Sequence, residues 1–201
     1  EFVSFYATGF VVGNGLQIIT NAHVLPKNTD ADNNETLAVF TGRGKNSQAR
    51  SARLVIKDEL RDLALLEIQG EPIPALRLGD SESVREGMDV AFTGFPIGVV
   101  LGLYPVTHKG IISAITPLAR PANTAKQLTA EQLRLMRNPT TVFQMDATAY
   151  PGNSGSPIYI PSTGVVIGVL NSVFVKKGKE SMLTKPSGIS YAVPSAYVSE
   201  L

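Results

Sequence analysis

The octapeptide Tyr150-Pro151-Gly152-Asn153-Ser154-Gly155-Ser156-Pro157 sets a serine between glycines and closes the segment with prolines. Glycine permits sharp turns and close approach, and proline fixes φ and removes N–H groups that would need partners. A serine in such a turn is presented outward with backbone N–H groups beside it. Acyl transfer needs that pairing: a hydroxyl nucleophile and donors aimed at the oxyanion that forms next to it. Taken alone, the segment also reads as an ordinary surface turn. A serine hydroxyl is a poor nucleophile without a base in hydrogen-bond reach, and the base needs an orienting carboxylate. The chain holds two histidines. His23, in Asn21-Ala22-His23-Val24, follows an apolar β-rich segment and reads either as such a base or as a satisfied core histidine. Asp62 heads the apolar run Leu63–Ile68, where a carboxylate is expected to be partly buried and to find a donor. Asp58 fits a surface loop acid better. His108 has no partner motif and reads as a surface residue.

The elements that must position these groups are mostly strands. Thr8–Val12 and Leu16–Thr20 are short, apolar and β-rich, and Gly13-Asn14-Gly15 between them signals a hairpin. Leu37–Phe40 and Ala52–Ile56 continue the pattern. Pro72–Gly87 lacks periodicity and reads as a connection between two β units. Val90–Pro96 resumes strand character. Val106–Ile115 reads as a hairpin-like pair turning near Lys109-Gly110. Residues 117–141 interrupt the β pattern with a helical insertion. Thr129 and Gln132 form a capping box, Leu128 and Leu133 a hydrophobic staple, and Pro139 ends the helix near Arg137 or Asn138. It reads as a short helix packed on its own domain or as a regulatory flap. Val142–Met145 leads into the serine turn, Ile158–Ile160 and Val165–Leu170 form a hairpin, and Gly188–Pro194 is the last strand. Ser195–Leu201 begins a C-terminal helix.

Composition narrows the function classes. Of 201 residues 43% are hydrophobic, enough for a sizeable core, and the formal net charge is +1 with no basic run. That balance gives no reason to expect nucleic acid or an acidic membrane surface as partner. With no cysteine there is no disulfide and no thiolate metal site. Two histidines in unlike settings argue against a metal centre. Asp30–Glu35 lacks the sixth-position glycine of a calcium loop, and Thr41 stands where its bidentate acid belongs. No cofactor is expected. No stretch approaches the length of a membrane span. The chain opens on Glu1 without an initiator Met and reads as a trimmed or mature segment.

The order His23, Asp62, Ser154 is that of chymotrypsin-type triads rather than of subtilisins or α/β-hydrolases. Thr8–Val12, Thr20–Val24, Arg61–Leu66, Leu78–Ser81, Gly94–Gly98, Gly152–Pro157 and Gly188–Ser195 together resemble trypsin-like serine proteases, most closely the HtrA/Deg type. The resemblance runs from about residue 8 to the end. It implies an all-β fold of two six-stranded antiparallel β-barrels with the active site in the cleft. The expected halves of one protease domain are residues 1–80 and 81–201. It implies Ser154 as nucleophile, His23 as general base and then acid, and Asp62 as the carboxylate that orients His23. The turn Gly152-Asn153-Ser154 is expected to build the oxyanion hole, with the N–H groups of Gly152 and Ser154 as donors.

Departures from the relatives refine this. Asn153 replaces an aspartate that pairs with a newly cut N-terminus in digestive members, so activation by clipping is not expected. Ser156 is shared with glutamyl-specific bacterial proteases, but Leu170 and Ala149 stand where those carry a histidine and a threonine. No peptide-binding PDZ domain follows residue 201, so either the segment stops early or the protease domain lacks one. By the family's layout Thr148 lies near the base of the specificity pocket beside Ala149, with Leu170, Asn171, Ser172, Ser190, Tyr191 and Ala192 as walls. No charge points in, so small or medium aliphatic residues are expected before the cut. Leu170–Phe174 is expected to pair with extended substrate by strand addition. The resemblance further implies a protein or peptide substrate, a cell-envelope setting (periplasmic or secreted) and a role in protein quality control or signalling. A homotrimer through an N-terminal segment bearing Phe2, Phe5 and Tyr6 is the corresponding partner expectation, with a plain core role for these aromatics as its rival. A catalytically silent peptide-binding module and an enzyme gated by ordering of the 117–141 insertion and the Lys176–Ser187 loop are the alternatives.

Overall fold

The computed structural model describes residues 6–26, 36–96, 102–117, 140–171 and 188–201. Phe2, Phe5, the Asp30–Glu35 stretch, the helical insertion, Ser172 and the Lys176–Ser187 loop lie outside them, as does the part of Leu170–Phe174 beyond Asn171. Strand β1 (Phe10–Val12) turns back through Gly13 and Gly15, both at positive φ, into β2 (Gln17–Thr20). Phe10 pairs with Ile19 and Val12 with Gln17. Strands β3 (Leu37–Thr41), β4 (Gln48–Asp58) and β5 (Leu63–Ile68) complete an antiparallel sheet of order β1-β2-β5-β4-β3. Five strands form this sheet among the described residues, and it is open rather than the six-stranded barrel expected. The eleven-residue β4 leaves Leu54, Val55 and Ile56 exposed and shifts register between Leu54 and Ile56.

The second half does close. Strands β6 (Asp89–Gly94), β7 (Val106–Pro117), β8 (Thr141–Asp146), β9 (Pro157–Tyr159), β10 (Val166–Asn171) and β11 (Ile189–Pro194) form a barrel of order β10-β11-β8-β7-β6-β9. A short helix, α1 (Ala196–Ser199), follows. The hairpin expected within Val106–Ile115 is instead the single twelve-residue strand β7. Gly110 does not turn the chain. It pairs with Val90, and a Cβ there would run into the Asp146 carbonyl of β8, so its missing side chain serves close strand approach. His108 on the same strand is not a plain surface residue. Its ring stacks on Phe92 at 4.9 Å and lies 5.8 Å from Tyr150.

Strand β10 explains how the halves are joined. All six of its residues are buried. Ile167 and Leu170 point into the barrel core with Phe92, Ile112, Phe143, Met145 and Ile158. Val166 and Val169 face the other way, packing with Phe10, Val12, Ile19 and Leu63 of the first sheet and with Val193 and Val198. A strand buried on both faces needs a near-continuous apolar run, as Val165–Leu170 supplies. Burial of each such side chain contributes roughly 1.5–3 kcal/mol, so this seam holds the two sheets in a defined relation. The connection before β6 crosses the same strand, with Gly79 N–H on the Val166 carbonyl at 2.7 Å and Val166 N–H on the Arg77 carbonyl at 2.9 Å.

Candidate active site

The three sequence-nominated residues converge where the sheets meet. His23 sits in a one-turn 3-10 helix, Ala22–Val24, directly after β2. Asp62 precedes β5 at the end of a turn in which Asp58 Oδ1 accepts the N–H groups of Leu60 and Arg61 at 2.9 and 3.0 Å. Asp62 itself has φ 59°, a left-handed conformation that aspartate tolerates better than most residues. Its carbonyl accepts Ala22 N–H at 3.2 Å and Asn21 Nδ2 at 3.0 Å, which ties the two turns together. Asp62 Oδ1 accepts the His23 main-chain N–H at 2.8 Å, and Oδ2 lies 2.6 Å from His23 Nδ1. On the far side of the ring His23 Nε2 lies 3.2 Å from Ser154 Oγ. An ionised carboxylate has only acceptor sites, so a neutral ring that keeps this contact carries its proton on Nδ1 and presents the Nε2 lone pair to the hydroxyl.

Ser154 is 4% exposed and is carried on a compact turn before β9. Asn153 N–H bonds the Tyr150 carbonyl at 3.0 Å, Pro151 occupies the second position and Gly152 has φ 95°. These are the marks of a type II turn, which requires positive φ at its third residue. The Asn153 N–H is therefore spent inside the turn, on the Tyr150 carbonyl. Gly155, at φ 86°, sends its N–H to the Leu170 carbonyl at 2.9 Å, and Leu170 N–H returns to the Ser156 carbonyl at 2.9 Å. The serine turn is thus stitched to β10. The side-chain Nδ2 and Oδ1 of Asn153, fully buried, have no hydrogen-bond partner among the described residues.

The residues nominated for a specificity pocket do not share one environment. Leu170 lies in the barrel core with Ala149 packed against the same cluster. Ser190 donates to the Ala147 carbonyl at 2.5 Å. Tyr191 is half-buried opposite Asn171 in the β10–β11 register, and Thr148 is half-buried. Asn171 is fully buried and gives its Nδ2 to Asp62 Oδ2 at 2.5 Å. Sequence reading put Asn171 in a pocket wall, whereas its side chain reaches the carboxylate beside His23. Its place at the end of a run buried on both faces was the available signal, since a buried amide there must find a polar partner. Thr8, whose hydroxyl donates to the Gly152 carbonyl at 2.8 Å, was likewise missed. Among the described residues no group of three or more His, Cys, Asp and Glu side chains is placed to hold a metal ion.

An antiparallel barrel packs on a second sheet, and a histidine at their junction lies between an aspartate and a serine, the nucleophile, base and carboxylate that acyl transfer calls for. The chain belongs to the trypsin-like peptidase domain family, whose model matches residues 7–169. It is similar to a probable periplasmic serine endoprotease, DegP-like, of Pseudomonas putida (strain GB-1), at 31% identity over 189 residues, 93% of this chain and 32% of that one. It is also similar to the serine protease Do-like HtrB of Bacillus subtilis (strain 168), at 32% identity over 179 residues, 89% of this chain and 33% of the other. Among solved structures it resembles the HtrA-type protease AlgW with decapeptide, at TM-score 0.66 and 25% identity, covering 96% of this chain and 49% of that one. The chain spans about a third of the length of the curated relatives it matches.

Proposed function

We propose that this chain is a serine endopeptidase domain of the HtrA/Deg type. Ser154 Oγ attacks the scissile carbonyl while His23 Nε2 takes its proton. His23 then gives that proton to the leaving amine, and water repeats the cycle on the acyl-enzyme. Asp62 holds the ring's tautomer and stabilises its charged form, and the Gly152 and Ser154 N–H groups receive the oxyanion. The observation that carries this reading is one imidazole spanning Asp62 at 2.6 Å and Ser154 at 3.2 Å. We further propose residues 1–80 and 81–201 as two halves of one protease domain, supported by the apolar seam they share. The residues nominated for the pocket, Thr148, Ala149, Leu170, Asn171, Ser172, Ser190 and Tyr191, carry no charge of their own, which supports the further proposal of cutting after small or medium aliphatic residues in extended or unfolded segments. Relatives named periplasmic support a cell-envelope setting, and a role in protein quality control or signalling there is part of the same proposal.

A fluorophosphonate probe tests the central claim. Wild type should be labelled and Ser154→Ala should not, with hydrolysis falling by at least about 10³-fold. Absence of labelling in wild type would favour a silent peptide-binding module. A peptide library should show cleavage after small or medium aliphatic residues, and strong cleavage after Arg or Glu would refute the pocket reading.

A further inference from the structure

We propose that Thr8 is a positioning residue for the oxyanion hole, an inference that rests on the peptidase reading above. Thr8 is 3% exposed and lies just before β1, in the other sheet from the serine turn. It makes four hydrogen bonds among the described residues. Its N–H donates to the Ser154 carbonyl at 2.9 Å and its hydroxyl to the Gly152 carbonyl at 2.8 Å. Its hydroxyl oxygen accepts the Phe95 N–H at 2.9 Å, and its carbonyl accepts the Thr20 hydroxyl at 2.7 Å.

The placement of these bonds matters more than their number. Peptide units are rigid planes joined at Cα atoms. The Gly152 N–H belongs to the Pro151–Gly152 plane and the Ser154 N–H to the Asn153–Ser154 plane. Between the two lies the Gly152–Asn153 plane, and Thr8 Oγ holds its carbonyl. The N–H of the same plane is held by the Tyr150 carbonyl. Thr8 N–H also holds the Ser154–Gly155 plane, on the other side of the second donor. Thr8 therefore fixes the plane that both proposed oxyanion donors hang from. The Phe95 N–H occupies a lone pair of the hydroxyl and leaves its single proton for the Gly152 carbonyl. Close packing keeps this arrangement in place: a Cβ on Gly94 would come within 3.0 Å of Thr8 Oγ and 2.7 Å of Asn153 Oδ1, and one on Gly155 would strike the Thr8 carbonyl.

Thr8→Val keeps the shape and removes the hydroxyl, while Thr8→Ser keeps the hydroxyl. With active sites titrated, Thr8→Val should lower kcat per site by about ten- to a hundredfold, part of the loss seen when a donor is removed outright. KM should change by less than about threefold, and Thr8→Ser should recover kcat to within about threefold. Affinity for a peptide boronate, which mimics the tetrahedral intermediate, should fall in parallel with kcat. If Thr8→Val does not fold, Thr8→Cys, whose thiol is a weak donor, replaces it with the same split of kcat from KM expected. A kcat per site unchanged in the substituted enzyme, or Thr8→Ser as impaired as Thr8→Val, would overturn the proposal. If wild type neither hydrolyses peptides nor labels, the peptidase reading fails by itself. Thr8 is then judged by the amide resonances of Gly152 and Ser154, which should move in Thr8→Val and return in Thr8→Ser; resonances that stay put overturn the role.

Discussion

Asp62→Asn probes the proposed triad where its hydrogen bonding is most demanding. The carboxylate serves three donors: the His23 main-chain N–H at 2.8 Å on Oδ1, and His23 Nδ1 at 2.6 Å and Asn171 Nδ2 at 2.5 Å on Oδ2. An amide offers one accepting oxygen and one donating nitrogen. With its oxygen in the Oδ2 place, the new NH₂ faces the His23 main-chain N–H. With its oxygen in the Oδ1 place, the NH₂ faces both His23 Nδ1 and the Asn171 amide. The ring can then keep that contact only by accepting at Nδ1 and carrying its proton on Nε2, where it cannot take one from Ser154. Each orientation leaves a buried donor unpaired, at about 1–3 kcal/mol of stability, and both lose the charge that stabilises the imidazolium. The same substitution in the chymotrypsin template lowers kcat about 10⁴-fold, equivalent to about 5.5 kcal/mol of barrier at about 1.4 kcal/mol per factor of ten. We expect a loss of that order here. Initial rates on a fluorogenic peptide, normalised to the folded fraction by circular dichroism, measure it. Asn171→Ala in the same cycle should be non-additive, because both changes act on one carboxylate. An Asp62→Asn enzyme within about tenfold of wild type would refute the claim that Asp62 sets the tautomer of His23.

Two further expectations concern the frame around the site. Gly155→Ala should destabilise the fold by about 3 kcal/mol or more, since Gly155 has φ 86° and a methyl there strikes the Thr8 carbonyl and Thr20 hydroxyl; a loss below about 1 kcal/mol in urea unfolding would contradict the packing described. Arg61→Ala removes a guanidinium that pairs with Glu200 at 2.6 Å and Asp58 at 3.5 Å and lies 4.5 Å over the Tyr197 ring. These partly exposed contacts should be worth about 1 kcal/mol and weaken with salt, and a urea series at two ionic strengths checks it.

Much of the architecture was legible from local signals. Short, apolar, β-rich segments and the Gly13-Asn14-Gly15 turn marked the first hairpin because glycine at positive φ is what such turns require. The same rule misled at Gly110, where no turn exists. Glycine is used there for strand approach, and sequence does not distinguish a residue that bends the chain from one that lets another strand come close. His108 was read as solvated because it lacked a motif, yet strand geometry turns it onto Phe92. The β architecture and the closed six-stranded second barrel came out as expected, while the first half shows a five-stranded sheet among the described residues.

For the candidate site, residue types and spacing nominated the reacting groups: a serine between glycines, a histidine after a strand and an aspartate before another, in an order specific enough to name a family. These are matters of residue type and spacing, and side-chain chemistry is local. How they are held follows from contacts between distant segments. Asn171 reaches Asp62 from residues 109 apart in the chain, and Thr8 holds the Gly152 carbonyl across 144. Which buried donor meets which acceptor is set by how the two sheets dock along β10, and no periodicity or local motif records that docking.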